Sequence, residues 1–152
     1  MEAPKDFDDI RPGTTSEFGS FKVEEADIVD FARKFDPQSF HLDHEAARKS
    51  LFGGLAASGW HTAAMMMRML VDHTLSPETS LGSPGVDELR WLKPVRPGDV
   101  LSVRMTILET TPSRSKPDRG VVRSLVEVLN QDRDVVMTVK TMVMVRRRPA
   151  AG

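Results

Sequence analysis

The chain contains no cysteine. Disulfides, thiolate-bound metals, iron–sulfur clusters and a cysteine nucleophile are thereby excluded, and the composition fits a reducing compartment. No apolar run is long enough to span a bilayer, since the most apolar stretch, Ala63 to Val71, is interrupted by Arg68. The opening residues MEAPKDFDDIRPG are acidic and have no apolar segment of the signal-peptide kind. A cytoplasmic protein without membrane association is the expectation. An excess of one charge is also missing. With 21 basic and 22 acidic residues the formal net charge is −1, which argues against nucleic acid as a partner. No internal repeat or low-complexity block stands out.

What is present suits one globular domain. The 152 residues are 39% hydrophobic and 28% charged, and a domain of that size buries roughly two-thirds of its unfolded surface. Residues 7–148 are assigned to the domain, with 1–6 and 149–152 expected as flexible tails and fraying expected from Arg146 onward.

The two halves of the domain have different periodicities. After a short strand over Glu17 to Val23, Glu24 and Glu25 open a segment in which Ile28, Phe31, Ala32 and Phe35 fall on one helical face. Pro37 ends it, because the residue before a proline is driven out of the helical region. A shorter helix is expected over His44 to Lys49. Next comes the small-residue stretch Phe52 to Gly59, with Ser58 a good N-cap and Gly59 at the first helical position. The helix that follows, from Trp60 to about Asp72, is apolar around most of its circumference and is expected to be buried. The second half reads as strands: Gly85 to Val95, Leu101 to Ile107, Val121 to Leu129 and Val135 to Val145. Breakers mark turns at Pro94–Asp99, Pro112–Gly120 and Asn130–Asp134. An antiparallel sheet needs a cover on one face, and an apolar helix needs a cover on several sides. An α+β single domain satisfies both, with a curved antiparallel sheet wrapped around a long central helix, the hotdog fold.

Two features can carry chemistry. Asp36 and His41 lie in the loop Asp36-Pro37-Gln38-Ser39-Phe40-His41, where a carboxylate and an imidazole facing one small volume can share a water. The plain alternative is a loop cap and a surface histidine. Ser58 and Gly59 begin the central helix, whose first N–H groups lack partners and whose dipole makes that end partly positive. A glycine there lets a carbonyl oxygen approach the backbone closely enough for an oxyanion to be held. The plain alternative is an N-cap and packing space.

The stretch Phe31 to Trp60 resembles the MaoC-like dehydratases, a family of R-specific enoyl-CoA hydratases. That family carries Asp-x-Asn-Pro-x-His, then a small-residue stretch ending in Ala-His-Gly before the central helix. Asp36 and His41 match its catalytic pair, and Gly59 matches the glycine whose N–H holds the thioester carbonyl. Trp91-Leu92-Lys93-Pro94-Val95-Arg96-Pro97-Gly98-Asp99 is similar to its Phe-x-x-Pro-Val-x-x-Gly-Asp turn. Three positions depart from the pattern: Gln38 stands for Asn, Ser39 for Pro, and Ser58 for His. The resemblance covers roughly Phe7 to Arg148.

It implies hydration of a trans-2-enoyl thioester, or the reverse dehydration of a 3-hydroxyacyl thioester. The carrier is coenzyme A or an acyl carrier protein, the thioester is substrate, and no cofactor is expected. Hotdog thioesterase and non-catalytic acyl-thioester subunit are the alternatives. Ser58, Gln38, Phe40 and Trp60 are candidates for substrate contact. Lys93, Arg96, Arg114, Lys116 and Arg119 are candidates for coenzyme A phosphates. His44, His61 and His73 follow no ligand spacing, so no metal is expected; His61 is expected to line or neighbour the site. Met65, Met66, Met67 and Met69 fit a core better than an acyl pocket. A homodimer or higher homo-oligomer is expected, because one such unit leaves a long strand edge unpaired.

Overall fold

The computed structural model describes residues 5–148. Five strands form one antiparallel sheet: β1 (Thr15–Lys22), β2 (Gly85–Trp91), β3 (Val100–Pro112), β4 (Arg119–Leu129) and β5 (Val135–Arg146). Their order is β1-β3-β4-β5-β2, so β1 and β2 are the two edges. Three helices precede most of the sheet in sequence: α1 (Glu25–Phe35), α2 (His44–Arg48) and α3 (Gly59–His73). This is the hotdog arrangement, with α3 as the long helix.

Alternation along the strands supplies the inner face. In β4, Val122, Ser124, Val126 and Val128 are buried, while the residues between them are half-buried on the outer face. Met65, Met66, Met69 and Leu70 of α3 pack with Leu101, Val103, Val126, Val128, Met137 and Val139 of the sheet in one core cluster. The sheet is longer than its helix. At its far end the inner face is covered by Phe7, from a single 3-10 turn at Phe7–Asp9, which packs against Ile107, Val122 and Val145. Gly120 makes that contact feasible, since a Cβ there would run into the Phe7 ring.

Three differences from the sequence reading have physical causes. β2 stops at Trp91 rather than continuing to Val95. Leu92 and Lys93 both donate to the Val136 carbonyl, and Pro94 has no donor with which to extend the ladder. The turn expected over Pro112–Gly120 is shorter, because the β3–β4 pairing continues out to Pro112 opposite Gly120. The residues at Arg146–Arg148 are fastened rather than frayed. Arg146 is in β5, Arg147 pairs with Asp8, and Arg148 pairs with Asp6 and Asp9, so the two ends of the domain are clasped by opposite charge. Of the expected tails, 1–4 and 149–152 lie outside the described residues.

The central helix is not buried all round. His61, Thr62, Met65, Met66, Met69 and Leu70 are buried. Trp60, Met67 and Val71 are 59%, 45% and 50% exposed along its outer side. Among the described residues, no helix is long and apolar enough to cross a membrane.

Candidate active site

The site is assembled where the end of α1 meets the start of α3. At the end of α1, Pro37 drives Asp36 out of helical geometry, to φ −152° and ψ 67°. A 3-10 turn over Ser39–His41 then brings the imidazole back, with the His41 N–H donating to the Gln38 carbonyl at 3.0 Å. His41 is buried, and its Nε2 lies 3.4 Å from Asp36 Oδ2. That separation is too long for a strong direct bond and leaves both atoms free to share a third.

Each member of the pair is held from behind. The His41 Nδ1–H donates to the Ala56 carbonyl at 2.6 Å; a carbonyl only accepts, so Nδ1 carries a proton and a neutral ring presents its lone pair at Nε2. Asp36 Oδ1 accepts from Gln38 Nε2 at 2.6 Å, and Oδ2 accepts from Ser58 Oγ at 2.7 Å. Burial pushes the Asp36 carboxyl up, but the Ser58 and Gln38 hydrogen bonds and the neighbouring His41 outweigh it. The net effect is a pKa below the usual 3.8, so Asp36 is a carboxylate at neutral pH.

Ser58 caps α3 with the same hydroxyl, accepting from the Trp60 N–H at 3.3 Å. The Ser58 carbonyl takes the His61 and Thr62 N–H groups. Among the described residues the Gly59 N–H has no such partner, and it lies at the positive end of a 15-residue helix. Over it lies Trp91, which the sequence shows only as the start of the Trp91–Asp99 turn motif, with no sign of a place in the site. Its indole N–H donates to the Gly59 carbonyl at 2.9 Å, and its ring lies so close that any Cβ at position 59 would collide with it. Trp60 meets Trp91 edge-on at 5.1 Å.

Asp36, His41 and Gly59 open on one cleft of about 570 Å³, whose wall includes Phe40, Phe52, Trp60, Trp91 and Leu92. Gln38 lies in the same wall. Phe40 stacks edge-on against His41 at 4.5 Å. The site therefore combines a carboxylate, an imidazole with a free lone pair, an unpartnered helix N–H and an aromatic wall.

The remaining candidates separate. Lys93 lies at the cleft and pairs with Asp134 at 3.2 Å. Arg96 does not project into the cleft as a free cation; its guanidinium is bonded to the carbonyls of Phe52, Gly54 and Leu55. Arg114 and Lys116 lie in the β3–β4 hairpin loop, and Arg119 at the start of β4 pairs with Asp118. By register, that end of the sheet is opposite to the one that carries Leu129, Val136 and the cleft.

His61 belongs to the other flank of α3, stacked on Phe31 at 4.8 Å and lining a separate depression with Arg68 and Asp72. Burial lowers its pKa against the pull of Asp27. His44 bonds Glu25, and His73 packs on Phe18. Met65, Met66 and Met69 are core residues, and none of the four methionines lines the cleft. Among the described residues, no three His, Asp or Glu side chains come together as a metal site.

Such a helix-wrapping sheet, with an Asp–His pair beside the start of the long helix, is a hotdog domain whose cleft carries groups able to accept and return a proton. A family model, MaoC like domain, matches residues 8–130, and the chain belongs to that family. A MaoC-like dehydratase structure from Rhodospirillum rubrum is 49% identical with a TM-score of 0.89, covering 95% of this chain and 99% of that one. The unliganded R-hydratase PhaJ1 from Pseudomonas aeruginosa is 26% identical with a TM-score of 0.76, covering 94% and 86%. The 3-hydroxybutyryl-CoA dehydratase of Methylorubrum extorquens is 30% identical over 115 residues, 72% of this chain and 68% of that protein.

The Ser58 hydroxyl generates a prediction. Ser58→Ala removes a donor to Asp36, so the carboxyl midpoint followed by side-chain 13C NMR moves up from its depressed wild-type value. Asp36 contributes stability above its unfolded pKa near 3.8 and loses it as pH falls through the folded value, so the variant gains less stability as pH rises from acid. Loss of the cap adds about 1 kcal/mol of destabilisation in denaturant titrations. An unchanged Asp36 midpoint contradicts this role for Ser58.

Proposed function

We propose that this protein hydrates trans-2-enoyl thioesters to 3-hydroxyacyl thioesters, and catalyses the reverse dehydration. The observation that carries this reading is the pairing of Asp36 Oδ2 and His41 Nε2 across 3.4 Å beside the unpartnered Gly59 N–H, all facing one cleft. Membership of a family with relatives named hydratase and dehydratase supports the same reaction type.

A water between the two side chains gives a proton to the pair as its oxygen bonds to C3. His41 Nε2 accepts that proton, Asp36 orients the water and stabilises the resulting imidazolium, and the pair returns one proton to C2. The Gly59 N–H donates to the thioester oxygen, where negative charge grows as the double bond is attacked. Trp91 keeps that N–H in place, and Phe40, Phe52 and Trp60 supply an apolar wall for the acyl chain. Lys93 is the cation of this chain best placed for a phosphate of coenzyme A.

The working unit in this proposal is a homodimer. Trp60, Trp91, Leu92, Val86, Met67 and Val71 are each between 45% and 59% exposed, on α3 and on or just after the edge strand β2. A second copy is the occupant that a self-complementary apolar helix and a free strand edge favour. Light scattering after gel filtration is expected to give twice 16.9 kDa, and Val71→Asp to shift the mass toward one chain. A wild-type mass of 16.9 kDa removes the dimer from the proposal.

The reaction is tested by loss of enoyl-thioester absorbance with crotonyl-CoA. Wild type is expected to be active, while Asp36→Asn and His41→Ala, each folded, lose about 10²- to 10⁴-fold in kcat. Release of free thiol without hydration assigns thioester hydrolysis instead, and binding without turnover assigns an acyl-thioester binding subunit.

A further inference from the structure

We infer that Arg96 is a positioning residue for the acid–base pair, acting through the Ala56 carbonyl that fixes the His41 tautomer. The inference rests on the proposed hydratase reading for its kinetic consequence, but its structural content stands on Arg96 alone.

Segment 52–57 links the loop beside the cleft to the start of α3. It belongs to neither a helix nor the sheet, so its carbonyls have no ladder to satisfy them. Arg96 supplies the missing donors. One terminal nitrogen donates to the carbonyls of Gly54 at 2.6 Å and Leu55 at 3.3 Å, and the other donates to that of Phe52. Immediately before it, the Val95 carbonyl accepts the Ala57 N–H at 2.9 Å. Val95 and Arg96 thus grip the segment on both sides of Ala56, and Ala56 is the residue whose carbonyl receives the His41 Nδ1–H.

The grip is itself anchored. Asp99 is buried and takes the Arg96 backbone N–H at 2.8 Å with one oxygen and Gln131 Nε2 at 3.0 Å with the other. A chain of hydrogen bonds therefore runs from the β4–β5 hairpin through Asp99 and Arg96 to segment 52–57 and on to His41. Lysine cannot reproduce it, because one ammonium on a flexible stem does not span three carbonyls as a planar fork does.

A free cation for coenzyme A phosphates is the competing role for Arg96, and the two roles give different results. The test compares wild type with Arg96→Lys and Arg96→Met. Thermal unfolding identifies folded variants, and Arg96→Lys keeps the test available if Arg96→Met does not fold. Crotonyl-CoA and crotonyl-N-acetylcysteamine, which lacks phosphates, are the two substrates. The positioning role predicts that kcat falls about 10- to 100-fold on both substrates with KM little changed. It also predicts that the His41 Nδ1–H proton, protected in wild type, exchanges with solvent about tenfold faster in Arg96→Lys. A rise in KM confined to the coenzyme A substrate, or an unchanged Nδ1–H, overturns the inference. If wild type hydrates neither substrate, the hydratase reading falls, and the Nδ1–H exchange alone decides the role of Arg96.

Discussion

The hydrogen bond from Ser58 Oγ to Asp36 Oδ2 joins the end of one helix to the start of another, and the site depends on it. One hydroxyl donates to the carboxylate and accepts the Trp60 N–H, so the cap of α3 and the ionisation of Asp36 are a single arrangement. It leaves the Gly59 N–H as the free donor at the helix start, within the same cleft as His41. A cap is worth about 1 kcal/mol, whereas an oriented N–H facing developing charge is worth about 3 kcal/mol in a transition state.

The scaffold explains why this arrangement is stiff. The sheet grips α3 through Met65, Met66, Met69 and Leu70, which fixes the helix axis and so the direction of its N-terminal N–H groups. Trp91 then locks the first residue, its ring over the Gly59 backbone and its N–H on the Gly59 carbonyl. Glycine is required at this position because an aromatic ring occupies the space of a side chain. Segment 52–57, which no ladder holds, is gripped instead by Val95 and Arg96.

Much of this was legible in the sequence where the cause is local. Pro37 ending α1, Ser58 capping α3, Gly59 at its first position and the alternation in β3, β4 and β5 are effects of near neighbours, and each element stands within a few residues of its expected place. Partners distant in sequence were not legible. The Arg96 guanidinium meets carbonyls more than 40 residues away, and Trp91 meets Gly59 across 32, so nothing near either residue signals its contact. Arg96 read as a cation for phosphate because its charge is visible in sequence and its hydrogen-bond partners are not. His61 neighbours the site, between Trp60 and Thr62 of the cleft wall, without lining it. Adjacency to the helix start puts it near the site in sequence, but the helical turn carries it to the flank that faces Phe31. The exposed stripe of α3 shows the limit of an apolar pattern, which demands a cover without saying whether the same chain provides it.

In the proposed reaction one water, held between Asp36 and His41, supplies both the oxygen at C3 and the hydrogen at C2. Both groups stand on the same side of the bound enoyl group in this account, so addition must be syn. Hydration of a crotonyl thioester in D₂O, with the product examined by NMR for the relative configuration at C2 and C3, tests this most directly. A single deuterium at C2, on the same face as the new hydroxyl, is expected. Anti addition, or deuterium on both faces, contradicts a pair that works on one water from one side.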